Sequence, residues 1–62
     1  MYQKPVEPTF EKKVEIATEE YGSFIIEEVL HAVEIDGVDN AYIMFQEFEQ
    51  HEHCQAIKQI YY

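Results

Sequence analysis

The sequence contains no arginine and very little positive charge of any kind. Its four cationic side chains are Lys4, Lys12, Lys13 and Lys58, so no cation lies between Val14 and Ile57. Residues 14–62 carry a formal charge of −10, because they contain eleven carboxylates and one lysine. A protein that follows the phosphate backbone needs a basic surface, so this balance excludes direct binding of DNA or RNA. It also disfavours an anionic membrane surface and favours a partner protein with a basic surface.

Cysteine and long apolar runs are also scarce. The single cysteine, Cys54, excludes an internal disulfide, and a free thiol is typical of a reducing compartment such as the cytoplasm. No apolar run approaches the roughly 18 residues that a membrane-spanning helix needs. A chain of 62 residues forms one domain at most. Because 47% of its residues are hydrophobic, we expect a second copy to cover part of the apolar surface in a homodimer.

The chain divides into a short arm and one small domain. Pro5 and Pro8 interrupt regular structure near the N-terminus, which predicts a flexible arm over residues 1–9 and a folded domain over residues 10–62. Polar and apolar side chains alternate over Lys13–Ala17, which predicts a first β-strand. Thr18 is then a candidate N-cap for a following helix.

The middle of the chain has apolar residues at helical spacing. They form two adjacent rows in which successive residues are three or four positions apart: Tyr21, Ile25, Val29 and Ala32, and beside them Ile26, Leu30 and Val33. This pattern predicts a helix, although Gly22 inside it costs about 1 kcal/mol relative to alanine. Ser23 is an alternative cap, which starts the helix at Phe24. The β-branched residues of Phe24–Leu30 also allow a strand in place of the helix.

A hairpin and a terminal helix are predicted in the second half. Asp36–Asn40 is rich in Asp, Gly and Asn, which is typical of a turn between two strands, here Ala32–Ile35 and Ala41–Phe45. Helical spacing over Glu49–Tyr61 predicts a terminal helix, and we expect Ile57 in the core together with Ile43 of the last strand. The predicted fold class is α+β: a small antiparallel sheet of about three strands with two helices, in the order strand-helix-strand-strand-helix. The alternative is a mostly β meander with a C-terminal helix.

The last predicted strand contains Ala41, Tyr42, Ile43 and Phe45, and Ala56 and Ile57 of the terminal helix follow eleven residues after Phe45. In these positions residues 32–60 resemble the strand–helix half of an RNA recognition motif, whose third strand has the pattern basic-Gly-aromatic-Gly/Ala-aromatic-aliphatic-any-aromatic. The basic residue, the glycine and the first aromatic of the pattern are replaced by Val38, Asp39 and Asn40. The resemblance therefore implies a degenerate module in which only Tyr42 keeps a stacking role, and which binds a peptide instead of RNA.

The segment from His51 to Cys54 has the chemistry of metal ligands. Imidazole and thiolate groups suit zinc, and His51 and Cys54 would share one face of a helix. A closed site needs four ligands and His53 would point away, so we expect no metal and no other cofactor. A metal-dependent interaction module that uses these three residues is an alternative function. Catalysis by Cys54 is not expected, because Glu49 and Glu52 nearby would raise the pKa of its thiol.

The carboxylates are the leading candidates for a binding surface. Glu27, Glu28 and Glu34 would share one exposed helix face with His31. In size and charge the chain resembles small acidic host-takeover or inhibitor proteins, which implies mimicry of a nucleic acid. We therefore expect a non-enzymatic protein that binds, and inhibits or modulates, a partner with a basic surface. The candidate contact residues are Glu19, Glu20, Glu27, Glu28, Glu34, Asp36, Asp39 and Tyr42. The alternative is that the charge only keeps a small apolar domain soluble.

Overall fold

Residues 9–62, the part of the chain that the computed structural model describes, form four α-helices with short connections. The helices are α1 (Phe10–Tyr21), α2 (Ser23–Asp36), α3 (Val38–Glu47) and α4 (His51–Tyr61). They contain 87% of these residues, which include no strand. The predicted α+β class and its β-meander alternative are therefore wrong, and the fold is all-α. The predicted arm, residues 1–9, lies outside the described residues except for Thr9.

The first predicted strand is part of α1. Val14 and Tyr21 are half-buried and Ala17 is buried, so the inward positions follow intervals of three and four residues. Ile16, which lies between Val14 and Ala17 in the alternating segment, is 41% exposed. A segment of five residues fits both the two-residue period of a strand and the 3.6-residue period of a helix. The helical period continues beyond the segment to Tyr21, and this identifies it as a helix.

The side-chain N-cap lies at the start of α1, whereas the sequence placed one at Thr18, before the following helix. Thr9 Oγ1 accepts a hydrogen bond from the backbone N–H of Lys12 at 3.2 Å, the usual N-cap geometry. Thr18, the predicted cap, lies inside α1, where its hydroxyl donates to the carbonyl of Val14 at 2.7 Å. The hydroxyl at position 18 therefore satisfies its hydrogen bond within α1 and does not start a helix.

Gly22 alone separates α1 from α2. Its N–H donates to the carbonyl of Thr18 at 2.8 Å, and its own carbonyl accepts from the N–H of Ile26 at 3.2 Å. It has φ +95° and ψ 151°, a combination that is essentially restricted to glycine. One residue thus ends one helix and starts the next. The predicted central helix is present as α2, whose first residue is Ser23, so the strand alternative for Phe24–Leu30 is wrong.

Gly37 repeats this geometry between α2 and α3, where a hairpin turn was predicted. It has φ +88° and ψ 163°, its N–H donates to Val33 at 2.8 Å, and its carbonyl accepts from Ala41 at 3.0 Å. The hairpin over Asp36–Asn40 and its two strands are therefore wrong. The Asp-Gly pair does reverse the chain, but it does so as a corner between two helices.

The last predicted strand, Ala41–Phe45, is the centre of α3. Ala41 and Phe45, four residues apart, are buried, whereas Ile43 between them is 50% exposed. A strand would have placed all three on one face, but a helix turns Ile43 outward. The strand that carried the resemblance to an RNA recognition motif is therefore a helix.

α3 ends in a Schellman motif with Glu49 at the position that glycine usually occupies. The N–H of Gln50 donates to Phe45 at 2.9 Å, and the N–H of Glu49 donates to Gln46 at 3.1 Å. Glu49 has φ +58°, in the left-handed region. The terminal helix predicted for Glu49–Tyr61 is present as α4, which begins two residues later than predicted.

The core lies between α4 and the other three helices. α2 packs against α4, and α1 and α3 each pack against both of them but not against each other. The buried apolar side chains are Ala17, Ile26, Val29, Ala41, Phe45, Cys54, Ala56, Ile57 and Ile60. Four of these nine are on α4, which makes it the central element. Each helix within residues 9–62 is too short or too polar to cross a bilayer.

Candidate protein-binding surface

The predicted acidic site residues are spread along the whole length of α2 and around both of its ends. Glu19 and Glu20 come just before the Gly22 corner, and Asp39 comes just after the Gly37 corner. The residues on α2 itself are Glu27, Glu28, Glu34 and Asp36, and all seven carboxylates belong to exposed residues. A helix of 14 residues is about 20 Å long, so these acids are spread over a distance of that order.

Few of the carboxylates have a cationic partner within the described chain. The ion pair within residues 9–62 is that of Lys12 with Glu15 at 3.7 Å, and Glu28 also lies 3.0 Å from the imidazole of His53. Lys58 lies with its Nζ 5.7 Å from the centroid of the Tyr42 ring. These two contacts leave six predicted site carboxylates without a basic side-chain partner in residues 9–62: Glu19, Glu20, Glu27, Glu34, Asp36 and Asp39.

Glu28 differs from its neighbours, because it contacts the core. Its Oε1 lies 3.0 Å from Nε2 of His53, and His53 is only 8% exposed. The imidazole stacks on the ring of Phe45 with the centroids 4.6 Å apart. Glu28 is therefore the hydrogen-bond partner of a buried polar side chain, whereas Glu27 beside it points into solvent. The sequence pattern treated these two residues alike.

Asp39 and Tyr42 come together with the C-terminal end of α4. The hydroxyl of Tyr62 donates to Oδ1 of Asp39 at 2.8 Å, and this hydrogen bond is the main reason that the pKa of Tyr62 is raised. The ring of Tyr62 also meets that of Tyr42 edge-on, with the centroids 6.4 Å apart. Tyr42 is half-buried between Tyr62 and Lys58. These contacts hold α3 against α4, and they leave Tyr42 without the open sheet face that a stacking role requires.

The three candidate metal ligands point in different directions. His51 is exposed, and His53 is turned toward Glu28. Cys54 is buried, with Sγ 3.8 Å from the carbonyl oxygen of Tyr42. Burial raises the pKa of its thiol, and the nearby Lys58 opposes this only in part. In the part of the chain from Thr9 to Tyr62, no three His, Cys, Asp or Glu residues are grouped so that they could hold a metal ion.

Two exposed apolar residues of α2 were not among the predicted site residues. Phe24 is 73% exposed and Ile35 is 64% exposed, on the same helix as Glu27 and Glu34. Phe24 was predicted to lie within the central helix, at its start, or in a strand, and Ile35 was predicted to lie in a strand. Their spacing of eleven residues, three turns of an α-helix, was the signal that could have identified them as one face.

Comparisons with protein families, with characterised proteins and with solved structures found no match to this chain.

Proposed function

We propose that this chain is a non-enzymatic protein that binds a basic surface of another protein through Glu19 and Glu20 at the end of α1 and the exposed carboxylates of α2. The main support is that Glu19, Glu20, Glu27 and Glu34 are exposed and have no ion-pair partner within residues 9–62. Like charges held close together repel and destabilise the compact state. Lysine and arginine side chains of a partner would neutralise these carboxylates and relieve the repulsion, which favours binding.

Charge of this kind acts mainly on the rate of encounter. Complementary potentials steer diffusing partners together and accelerate association, and salt weakens the effect. A partner that uses its basic surface to bind a nucleic acid is inhibited, because the carboxylates of this chain compete with phosphates for the same lysines and arginines. We place this function in a reducing compartment such as the cytoplasm, where a free thiol like that of Cys54 is stable.

The test is a charge reversal that avoids the structural glutamate. The variant Glu27→Lys/Glu34→Lys changes two free carboxylates of α2, and Glu28 is left intact because it pairs with His53. The control, Glu11→Lys/Glu47→Lys, has the same net charge but alters exposed carboxylates of α1 and α3. Both proteins are used as bait in a cell lysate at about 0.05 M and about 0.5 M NaCl, because the higher salt screens charges beyond a few ångströms.

We expect the wild type and the control variant to capture the same basic proteins at low salt. The α2 variant should lose them, and high salt should release them from every bait. Stopped-flow association with a captured protein should then show a slower on-rate for the α2 variant and a smaller change in the off-rate. Equal capture by all three baits, or capture that salt does not change, would contradict the proposal and leave solubility as the role of the charge.

A further inference from the structure

The outer face of α2 is amphipathic, because two large apolar side chains stand among its glutamates. Phe24 and Ile35 are 73% and 64% exposed. They are eleven residues apart, which places them about 20° from one another around the helix and about 16 Å apart along it. His31 lies between them on the same line and is also exposed. We call Phe24, His31 and Ile35 the α2 stripe.

The α2 stripe lies opposite the buried face of its helix. Ile26 and Val29 are 2% and 0% exposed, and both lie roughly half a turn around the helix from Phe24. No rotation of α2 can therefore bury Phe24 and Ile35 without exposing the core residues. Large exposed apolar side chains that share one face of a helix with charged residues are typical of a helix that packs against a partner.

The charges around the stripe define the chemistry of what can cover it. Glu27 and Glu34 flank it on one side, and Glu28 stands on the other side, where it pairs with His53. A second copy of the chain would bring Glu27 and Glu34 against the same glutamates, and the like charges would repel. A partner segment with apolar residues between lysines or arginines is complementary to this surface. Its apolar residues can contact the α2 stripe, and its cations can pair with the glutamates beside the stripe.

We propose that the α2 stripe docks a basic amphipathic helix of another protein. This inference rests on the proposed function and names the class of partner. Apolar residues of the bound helix contact Phe24 and Ile35, and its cations pair with Glu27 and Glu34. A helix suits the stripe because its apolar residues at i, i+4, i+7 and i+11 repeat along one line over three turns, the length that separates Phe24 from Ile35.

The experiment uses a synthetic helical peptide of about five turns as the probe. It carries leucines at i, i+4, i+7 and i+11 with lysines beside them, and a scrambled peptide of identical composition has no apolar face. Binding is measured by fluorescence anisotropy of the labelled peptides. The site variant is Phe24→Ala/Ile35→Ala, and the matched control is Ile43→Ala/Phe48→Ala, which removes two other exposed apolar side chains, 50% and 71% exposed.

We expect the amphipathic peptide to bind the wild type about tenfold or more tightly than the scrambled peptide, a difference of about 1.4 kcal/mol. Phe24→Ala/Ile35→Ala should abolish this difference, and the control variant should keep it. Far-UV circular dichroism should be unchanged for both variants, since the four side chains are exposed. Amide chemical-shift changes in the unmodified protein should locate the bound peptide on α2, which tests the site independently of any substitution.

Three outcomes would overturn the inference. If both peptides bind the wild type and all variants equally, the contact is purely electrostatic, and the proposed function stands without the stripe. If neither peptide binds at about 0.05 M NaCl, the proposed function fails as well. If sedimentation shows that the wild type self-associates and that Phe24→Ala/Ile35→Ala abolishes this, the occupant of the stripe is a second copy.

Discussion

At the scale of single residues, His53 is the buried polar side chain of residues 9–62, and it needs a hydrogen-bond partner. A buried polar group without a partner is costly, and His53 avoids this through Glu28 Oε1 at 3.0 Å and through stacking on Phe45. Glu28 is itself half-exposed, with 44% of its side-chain surface accessible. One exposed carboxylate thus links the acidic surface to the core.

Glu28→Ala should destabilise the protein, whereas Glu27→Ala should not. Loss of the carboxylate leaves an imidazole nitrogen of His53 without its partner, at a cost of about 1–3 kcal/mol. Glu27 is exposed and has no ion-pair partner in residues 9–62, so its replacement should change the free energy of unfolding by less than about 0.5 kcal/mol. Urea unfolding of both variants measures the difference, and equal stabilities would show that the Glu28–His53 contact contributes nothing.

Ile57→Ala and Ile43→Ala should differ sharply, although the sequence suggested that both residues are central. Ile57 is 0% exposed, so truncation should cost about 2–4 kcal/mol through lost burial and the cavity that it leaves. Ile43 is 50% exposed, and its truncation should cost less than about 0.5 kcal/mol. Denaturant unfolding with an unchanged m-value is the measurement. A large effect at Ile43 would mean that it is covered in solution.

At the scale of elements, the helices depend on how compactly they are joined. The Gly22 and Gly37 corners use nearly the same positive φ and extended ψ, which other residues rarely adopt. A Cβ placed at either glycine would meet no other atom within 4 Å, so the requirement for glycine comes from the backbone and not from crowding. The third corner lacks a glycine and leaves Glu49 in the left-handed region.

Glu49→Gly should therefore stabilise the protein. The left-handed conformation costs a side-chain-bearing residue about 1–2 kcal/mol, and glycine adopts it freely. Glu47→Gly is the matched control, because Glu47 is the last residue of α3, where glycine should lower stability by up to about 1 kcal/mol. Both variants lose the same charge, so a comparison of their thermal unfolding isolates the backbone effect. Equal shifts in one direction would show that loss of charge dominates.

At the scale of the whole molecule, titration above neutral pH should weaken the fold. Burial raises the pKa of the Cys54 thiol from its ordinary value of 9.0. The pKa values of Tyr21 and Tyr61 are also raised, mainly by burial, and that of Tyr62 by its hydrogen bond to Asp39. All four groups are acids that the folded state keeps neutral, so each contributes stability below its unfolded pKa and loses that contribution as pH rises through its folded pKa.

The free energy of unfolding should therefore fall from about pH 9 upward, where the unfolded thiol ionises first. Urea titrations at several pH values between neutrality and the tyrosine range measure the decline. Cys54→Ala should flatten its first part and leave the later, tyrosine-dependent part in place. Constant stability across this range would contradict the raised pKa values.

Self-association remains a prediction that sedimentation can test. A homodimer was predicted from the hydrophobic content, and seven large apolar side chains within residues 9–62 are exposed: Phe10, Ile16, Phe24, Ile35, Ile43, Phe48 and Tyr62. With a net charge of −9, copies of the chain repel, so association should strengthen as salt screens the charge. A strict monomer at millimolar concentration in high salt would contradict the prediction.

The sequence by itself determined the charge, the absence of an internal disulfide and the two helices with long, consistent periodicity, α2 and α4. These properties depend on composition or on patterns that extend over three turns, and they need no knowledge of the neighbours. The helical state of α1 and α3 was decided by packing. Lys13–Ala17 and Ala41–Phe45 are too short for the two periods to be told apart, and a face such as that of Ala41 and Phe45 becomes stable only against α2 and α4.

Only the tertiary structure decided which side chains of the acidic surface are free. Glu27 and Glu28 are adjacent in the sequence, yet the position of α4 pairs Glu28 with His53 and leaves Glu27 in solvent. The exposure of Phe24 and Ile35 was decided in the same way, because three other helices pack on α2 and determine which side of it is buried. Hydrophobicity indicates that a side chain tends to be buried, but the arrangement of neighbouring elements decides whether there is anything to bury it against.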